Sequence, residues 1–371
     1  MLVYWLIFAT FALGAFSYAA KIARLGASPV SGGAATIRNK GSFALALAGF
    51  ALLLIIGFRF RVGGDWGNYI GTLESVSHVS LSYAVENAAQ EPGYIFINWF
   101  SARTGLGMWF VNLLSALPFL YGLMRFARQQ PNPWLALLVA TPFLIVVVAM
   151  GYTRQAAALG CVMAGLATII DRRPIWHFIA WVVVGTMFHR TALVFVPIML
   201  VSSTKNKLVA YSLIVVSLVL AYYTVLATGV DRYTRGYVRE ELTAAGANIR
   251  VLMDVVPAII VLLFRRRFFW SAEERAVWRT YAILCLIAGA ALPFIQSTAI
   301  IDRLAIYLIP IQIFTYARIG YAFGLIQRGW LMWTAAVILY SSAVLFVWLN
   351  YAINAFAWIP YQNYLTQPDE L

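Results

Sequence analysis

Apolar stretches of about 20 residues follow one another along almost the whole chain, and about 20 is the number an α-helix needs to cross the hydrocarbon core of a bilayer. Nothing else in the sequence restricts the fold as much. Within hydrocarbon every backbone N–H and C=O must find its partner inside the protein, which leaves helices or closed barrels. The runs are continuous and do not alternate, so barrel strands are excluded. Of 371 residues, 62% are hydrophobic and 11% charged, against about 25% charged in a soluble domain. The expectation is an all-α polytopic membrane protein with one transmembrane domain, 1–371. Spans are expected at 2–20, 43–58, 106–124, 133–150, 153–170, 175–188, 190–202, 208–226, 250–264, 277–295, 304–317 and 331–350. A shorter helix is expected over Pro92–Arg103. The segment 175–202 reads either as two short spans or as one long span broken at His189-Arg190. Leu2–Ala20 has no basic residue before it and reads as a first spanning helix, not a cleaved leader.

The formal net charge is +13. In a membrane protein this is explained by retention of Lys and Arg in cytoplasmic loops, and nucleic acid is not an expected partner. With the loop 21–42 placed in the cytoplasm and the sides alternated, the inner side holds 17 basic residues against Asp171, Glu273 and Glu274, and the outer side ten against 11 acids. Both termini then face outward. All four lysines fall inside, while the ten outer basic residues are Arg59, Arg61, Arg103, Arg154, Arg190, Arg232, Arg235, Arg239, Arg250 and Arg303. Arginine is the side chain suited to bidentate capture of phosphate or carboxylate.

Directly after the uncharged run Phe43–Phe58 comes Arg59-Phe-Arg-Val-Gly-Gly-Asp-Trp-Gly-Asn-Tyr69. Charged groups at a membrane boundary are costly and mark function. Asp65 reads as a general base or hydroxyl acceptor, or else as an ion-pair partner of Arg59 or Arg61 or a turn cap. Glu91 reads as the N-cap of a helix with Pro92 in its first position, or as a second carboxylate for acid–base work. Arg154, Arg190, Arg250 and Arg303 each stand where a helix enters the membrane from outside. A cation at a helix N-terminus is unfavourable by roughly 0.3–1 kcal/mol, so these four ask either for Asp65, Glu91, Asp254 and Asp302 or for an anionic ligand. Thr153 reads as the N-cap of the helix carrying Arg154 and Gln155. His189 is either a hydrogen-bonded core residue or part of a site. Asp302-Arg303 can be satisfied locally, and Tyr307 shares a helix face with Arg303. Cys161 and Cys285 read as packing residues. Arg265-Arg-Arg267 reads as a stop-transfer cluster, Trp330, Trp333 and Trp348 as interfacial residues, and the loop 227–249 as an amphipathic outer segment. No metal-ligand cluster or nucleotide loop is evident, and no cofactor is expected.

Together these residues resemble the EpsG family of exopolysaccharide polymerases, relatives of the Wzy-type O-antigen polymerases. The resemblance rests on Arg61-Val-Gly-Gly-Asp-Trp-Gly-Asn-Tyr69, Glu91-Pro-Gly-Tyr94, Arg154-Gln155, Phe188-His189 with Thr191-Ala-Leu193, Arg303 with Tyr307, the opening Val3-Tyr-Trp-Leu6, and the order of the spans. Gly63-Gly64-Asp65 departs from it slightly in having two glycines. The resemblance implies a GT-C-like bundle of about 10–12 transmembrane helices with short re-entrant or interfacial helices. It also implies a multi-pass protein of the bacterial inner membrane that joins repeat units carried on a polyprenyl diphosphate (undecaprenyl diphosphate) at the periplasmic face. Chain-length regulators and export proteins are the implied partners. From their chemistry, Asp65, Glu91 and His189 are the catalytic candidates. Arg59, Arg61, Tyr69, Tyr94, Arg154, Gln155, Arg190, Arg303 and Tyr307 are the substrate-binding ones, with Trp66 and Trp99 available to stack on sugars. A flippase for the same lipid-linked oligosaccharide is the alternative, though no repeat of halves is evident. A surface-polysaccharide ligase or acyltransferase is another, though His189 has no acid beside it in sequence.

Overall fold

The computed structural model describes residues 1–25, 43–204, 206, 208–209, 211–217, 219–220, 246–294 and 303–367. The expected span 208–226 is described only in part, as helical residues up to 220, while the loop 227–249 lies largely and Asp302 wholly outside them. The fold is an all-α membrane bundle. In chain order the helices are α1 (Leu2–Leu25), α2 (Phe43–Gly57), α3 (Trp66–Ser75), α4 (Leu81–Asn87), α5 (Pro92–Thr104) and α6 (Met108–Arg128). There follow α7 (Pro133–Gly151), α8 (Thr153–Ile170), α9 (Ile175–Thr186), α10 (Phe195–Ser203), α11 (Ala247–Leu263), α12 (Ala272–Ala291), α13 (Pro310–Ala322) and α14 (Arg328–Tyr351). Two-residue strands β1 (Arg59–Phe60) and β2 (Gln362–Asn363) pair antiparallel, Arg59 opposite Asn363. Seven helical stretches among the described residues are long and apolar enough to span: α1, α6, α7, α8, α12, 303–322 and α14. Helices α2, α9 and the stretch 190–201 are shorter and apolar.

The innermost helices are the most apolar on every face. In α7 the residues from Leu135 to Gly151 are all buried, and α8 and α13 are buried almost throughout. A helix hydrophobic all round belongs in a core. Helix α7 widens into a π-helical stretch over Thr141–Val148, whose second residue is Pro142, with no N–H to serve an α-helical bond. Helices α6 and α8 meet at two glycines. A Cβ on Gly122 would run into the carbonyl of Gly160, and one on Gly160 into the backbone of Pro118 and Phe119. Small residues allow such backbone approach where lipid supplies no hydrophobic drive between helices.

Contacts sort the helix ends as the alternation of spans requires. At one end the Tyr4 hydroxyl donates to the Trp358 carbonyl at 2.6 Å, the Thr153 N–H to the Tyr69 hydroxyl at 3.0 Å, and Gln155 Nε2 to the Arg303 carbonyl at 2.6 Å. At the other, Arg125 pairs with Asp171, Arg318 reaches Gln130 and Glu274 at 3.0 Å each, and Ile22 packs with Tyr321 and Trp330.

The helix expected over Pro92–Arg103 is present as α5. Helices α3 and α4, in the same expected loop, are additional. The segment 175–202 is indeed interrupted: α9 stops at Thr186, and a 3₁₀ turn over Arg190–Val194 leads into α10. Cys161 and Cys285 are buried and unbonded to each other.

Gly160→Leu is expected to separate α6 from α8, at about 1–3 kcal/mol for overpacking, and to lower the melting temperature of the detergent-purified protein by several degrees. Gly71→Ala, whose Cβ meets nothing within 4 Å, should leave it unchanged or slightly raised.

Candidate active site

The peptide after α2 is wedged between three elements. Arg59 and Phe60 are held by β2, and the Tyr364 N–H donates to the Phe58 carbonyl at 2.8 Å. Gly63 has φ +109° and donates its N–H to the Ala357 carbonyl at 2.8 Å; a Cβ there would strike the Met150 carbonyl and the Cα of Gly151. Only glycine satisfies both the positive φ and the approach. Arg61 also has positive φ (51°), is exposed, and places its guanidinium 4.8 Å from the Phe60 ring centre. Asp65 stands at the N-cap of α3 without capping it; its Oδ1 accepts from Asn68 Nδ2 at 3.4 Å. Among the described residues Asp65 pairs with neither Arg59 nor Arg61, so the ion-pair and cap readings of this carboxylate do not hold.

Arg59 is fully buried. It donates to the Ile56 carbonyl at 2.7 Å and to Thr153 Oγ1 at 2.6 Å, and its Nε has no partner. No carboxylate pairs with it among the described residues. Thr153 is therefore not the N-cap that its residue type suggested. Tyr152 takes that position (φ −118°, ψ 63°), the Thr153 hydroxyl serves Arg59, and the Thr153 N–H is taken by Tyr69. Burial raises the Tyr69 hydroxyl pKa, so Tyr69 stays a neutral phenol at the head of α8. Tyr94 packs beside it at 6.0 Å.

Glu91 occupies the N-cap position of α5, but its side chain turns away from the helix. Oε2 accepts from Arg154 at 2.8 Å; Oε1 accepts from the backbone N–H of Arg190 at 3.1 Å and from its Nε at 3.4 Å. The helix start is held differently: the N–H groups of Gly93 and Tyr94 donate to the Met187 carbonyl. Burial on its own would raise the Glu91 carboxyl, but His189, Arg154 and the Arg190 N–H outweigh it and hold the group below the usual carboxylate range. Each arginine keeps about a third of its side chain exposed, 28% for Arg154 and 33% for Arg190, against 5% for Glu91.

His189 caps the 3₁₀ turn, its Nδ1 accepting from the Thr191 N–H at 3.4 Å and lying 2.6 Å from Thr191 Oγ1. An acceptor at Nδ1 places the proton of the neutral ring on Nε2. The Thr191 hydroxyl continues to the buried Tyr307 hydroxyl at 3.1 Å. Gln155, one residue beyond Arg154, holds the Arg303 backbone, and Tyr307 follows one turn later. The structure thus gathers Glu91, Arg154, Gln155, His189, Arg190, Arg303 and Tyr307 around the head of α8, with Arg59, Tyr69 and Tyr94 directly behind.

Other expected residues sit elsewhere. Trp99 donates to the Val79 carbonyl at 3.0 Å and packs in the small core under α4 and α5. Trp66 lies against Phe60 and Tyr364. Arg250 lies over the Phe143 ring and lines a small recess with Asp254 and Gln312. Thr191 was named from sequence only as part of the motif beside His189, without a role of its own. Trp358, whose indole donates to the Val146 carbonyl at 2.8 Å, was not singled out and carries no local signal.

Glu91→Gln is expected to leave two guanidiniums without a counter-charge. The cost is about 1–3 kcal/mol for these half-exposed partners, read as a lower melting temperature. A carboxyl held below its unfolded value of about 4.3 stabilises fully above that pH, and the benefit is lost as pH falls through the lowered value. The wild-type melting temperature should therefore lose this contribution only below about pH 4, while Glu91→Gln lacks it throughout.

Comparison with curated proteins finds no match, and comparison with solved structures finds none either. The EpsG family model matches residues 43–363, a span that contains every residue of this cluster, and the chain belongs to the EpsG family.

Proposed function

We propose that this protein is a polysaccharide polymerase that joins polyprenyl-diphosphate-linked oligosaccharide repeat units at the outer face of the bacterial inner membrane. Membership of the EpsG family points to polysaccharide polymerisation, and one observation carries the finer reading. At the head of α8 a single carboxylate stands between two arginines that each keep an exposed face, with the uncompensated Arg59 buried just behind. That surplus of positive charge, added to the positive end of a helix, suits a diphosphate leaving group.

In the reaction, the carrier of the growing chain departs as the diphosphate while a hydroxyl of the incoming unit attacks the sugar carbon. Arg154, Arg190 and Arg303 stabilise the departing diphosphate as fixed positive charge, with Arg61 reaching it from the turn. Asp65, partly exposed and in no ion pair among the described residues, takes the hydroxyl proton. Glu91 is already committed to two arginines and serves to aim them. His189, protonated at Nε2, donates a hydrogen bond to the diphosphate or a sugar oxygen. Gln155 and Tyr307 set the Arg303 backbone and the Thr191 hydroxyl, and Tyr69 and Tyr94 wall the site.

Arg154→Ala, Arg303→Ala and Asp65→Ala should each reduce polymerisation at least a hundredfold, the loss usual for one transition-state donor. Polymer length on gels of cell-surface polysaccharide, with membrane levels of protein checked by immunoblot, reads the effect. A deletion strain should accumulate single lipid-linked repeat units facing outward; units retained on the cytoplasmic face would instead indicate a flippase. Activity of the purified protein should survive exhaustive chelation, and a loss restored only by a divalent ion would refute the arginine-based reading.

A further inference from the structure

A cavity of about 1150 Å³ lies between α10, α11 and α12; one end is walled by Val194, Leu304 and Ala305, next to Arg303 and the Arg190–Val194 turn, and the other reaches the end of α11. It exceeds the ~300–1,000 Å³ usual for small-molecule pockets. Its body is apolar, walled by side chains such as Ile198, Val261 and Ile283. Its mouth carries four arginines: Arg265 and Arg266 from the end of α11, and Arg275 and Arg279 one turn apart on α12. All four are exposed, and among the described residues none is in an ion pair. Arg267, the third of the run, turns away and lies over the Phe323 ring at 5.1 Å. A stop-transfer signal needs only charge on one segment. Here two helices bring guanidiniums to one rim, and the rim opens on an apolar chamber. The neighbouring carboxylate Glu274 is already engaged by Arg318 and by the Ser271 cap of α12, and Glu273, exposed on the first turn of α12, is in no ion pair with the four arginines among the described residues.

We propose that this chamber is a binding site for an anionic phospholipid of the leaflet at the basic end, its phosphate held by Arg265, Arg266, Arg275 and Arg279 and its acyl chains inside the cavity. Charge complementarity selects the occupant. An acyl chain gains little on passing from bilayer to an apolar cavity, since both are hydrocarbon, so discrimination rests on the head group. Each arginine near a membrane surface contributes about 1 kcal/mol toward an anionic lipid, about fivefold in affinity. The arginine rim lies at the end of the bundle opposite the Glu91 cluster, and loss of the phospholipid from it would leave the polymerase reading untouched.

The test is native mass spectrometry of the full-length protein released from nanodiscs of phosphatidylcholine doped with phosphatidylglycerol. One phosphatidylglycerol should be retained in preference to phosphatidylcholine. Arg275→Gln with Arg279→Gln should weaken that preference roughly 25-fold, and Arg172→Gln with Arg173→Gln, on the same face but outside the rim, should not. Ala276→Trp, which fills the chamber and keeps the arginines, should expel the lipid too. Inorganic phosphate should fail to displace it; displacement would mean an anion site without a lipid chamber. Equal retention by the Arg275/Arg279 variant, preferential uptake of undecaprenyl phosphate over phosphatidylglycerol, or unchanged binding in Ala276→Trp would each overturn the assignment.

Discussion

The Glu91 carboxylate is the contact on which the candidate site depends. It joins the start of α5 to the head of α8 through Arg154 and to the break after α9 through Arg190. These three pieces are distant in sequence and share no other ionic link among the described residues. A buried carboxylate is costly unless paired and hydrogen-bonded, and Glu91 meets that demand with three donors. Two arginines have thereby been placed at helix starts, where a cation is disfavoured, and oriented with one face left free. An ion pair that consumed both charges would give a rigid corner and nothing more. One acid shared by two bases gives a corner that still attracts anions.

Behind that corner, the start of α8 is built to expose its polar groups in a controlled way. The first N–H groups of any helix lack partners within it. Here the Thr153 N–H is satisfied by a phenol from α3, and the Thr153 hydroxyl is spent on Arg59. Arg59 brings a wholly buried charge to the same place. The turn at Gly63 is pressed against Met150 and Gly151, immediately before the helix begins. The peptide after α2 is thus the back wall of the candidate site, and Asp65 and Arg61 are the two charged residues it presents beyond that wall.

Much of this was legible in the sequence, and what was not has a common cause. Hydrophobic length located α1, α2, α6, α7, α8 and α14 within a few residues, because spanning is a local requirement. The interruption at His189 was visible because charge cannot continue an apolar helix cheaply. The residues of the cluster were picked out by type and placement. Their pairings were not. Glu91-Pro92 has the form of an N-cap, and the carboxylate does occupy that position, yet two arginines 63 and 99 residues away outbid the local N–H groups. Thr153 was claimed in the same way by Arg59. Capping is worth about 1 kcal/mol, whereas leaving a buried guanidinium unbonded costs more, so the tertiary partner wins. Helices α3 and α4 were missed because they are too short and too polar to stand out beside the spans.

The buried arginines at the two ends of the bundle serve opposite purposes, and the contrast bears on which of them a ligand can engage. At the basic end Arg318 is buried and matched one-to-one with Glu274, with Gln130 completing its bonds. That arrangement neutralises a charge and fixes α12 against α13. At the other end the ratio is two arginines to one carboxylate, and among the described residues no acid pairs with Arg59. Burying charge without compensation is destabilising, so a fold tolerates it where something else supplies the compensation. In a protein whose family assembles polysaccharide, a diphosphate arriving at the membrane surface meets that description. The same reasoning makes the tightly paired Arg318 a poor candidate for ligand binding, although it too is buried.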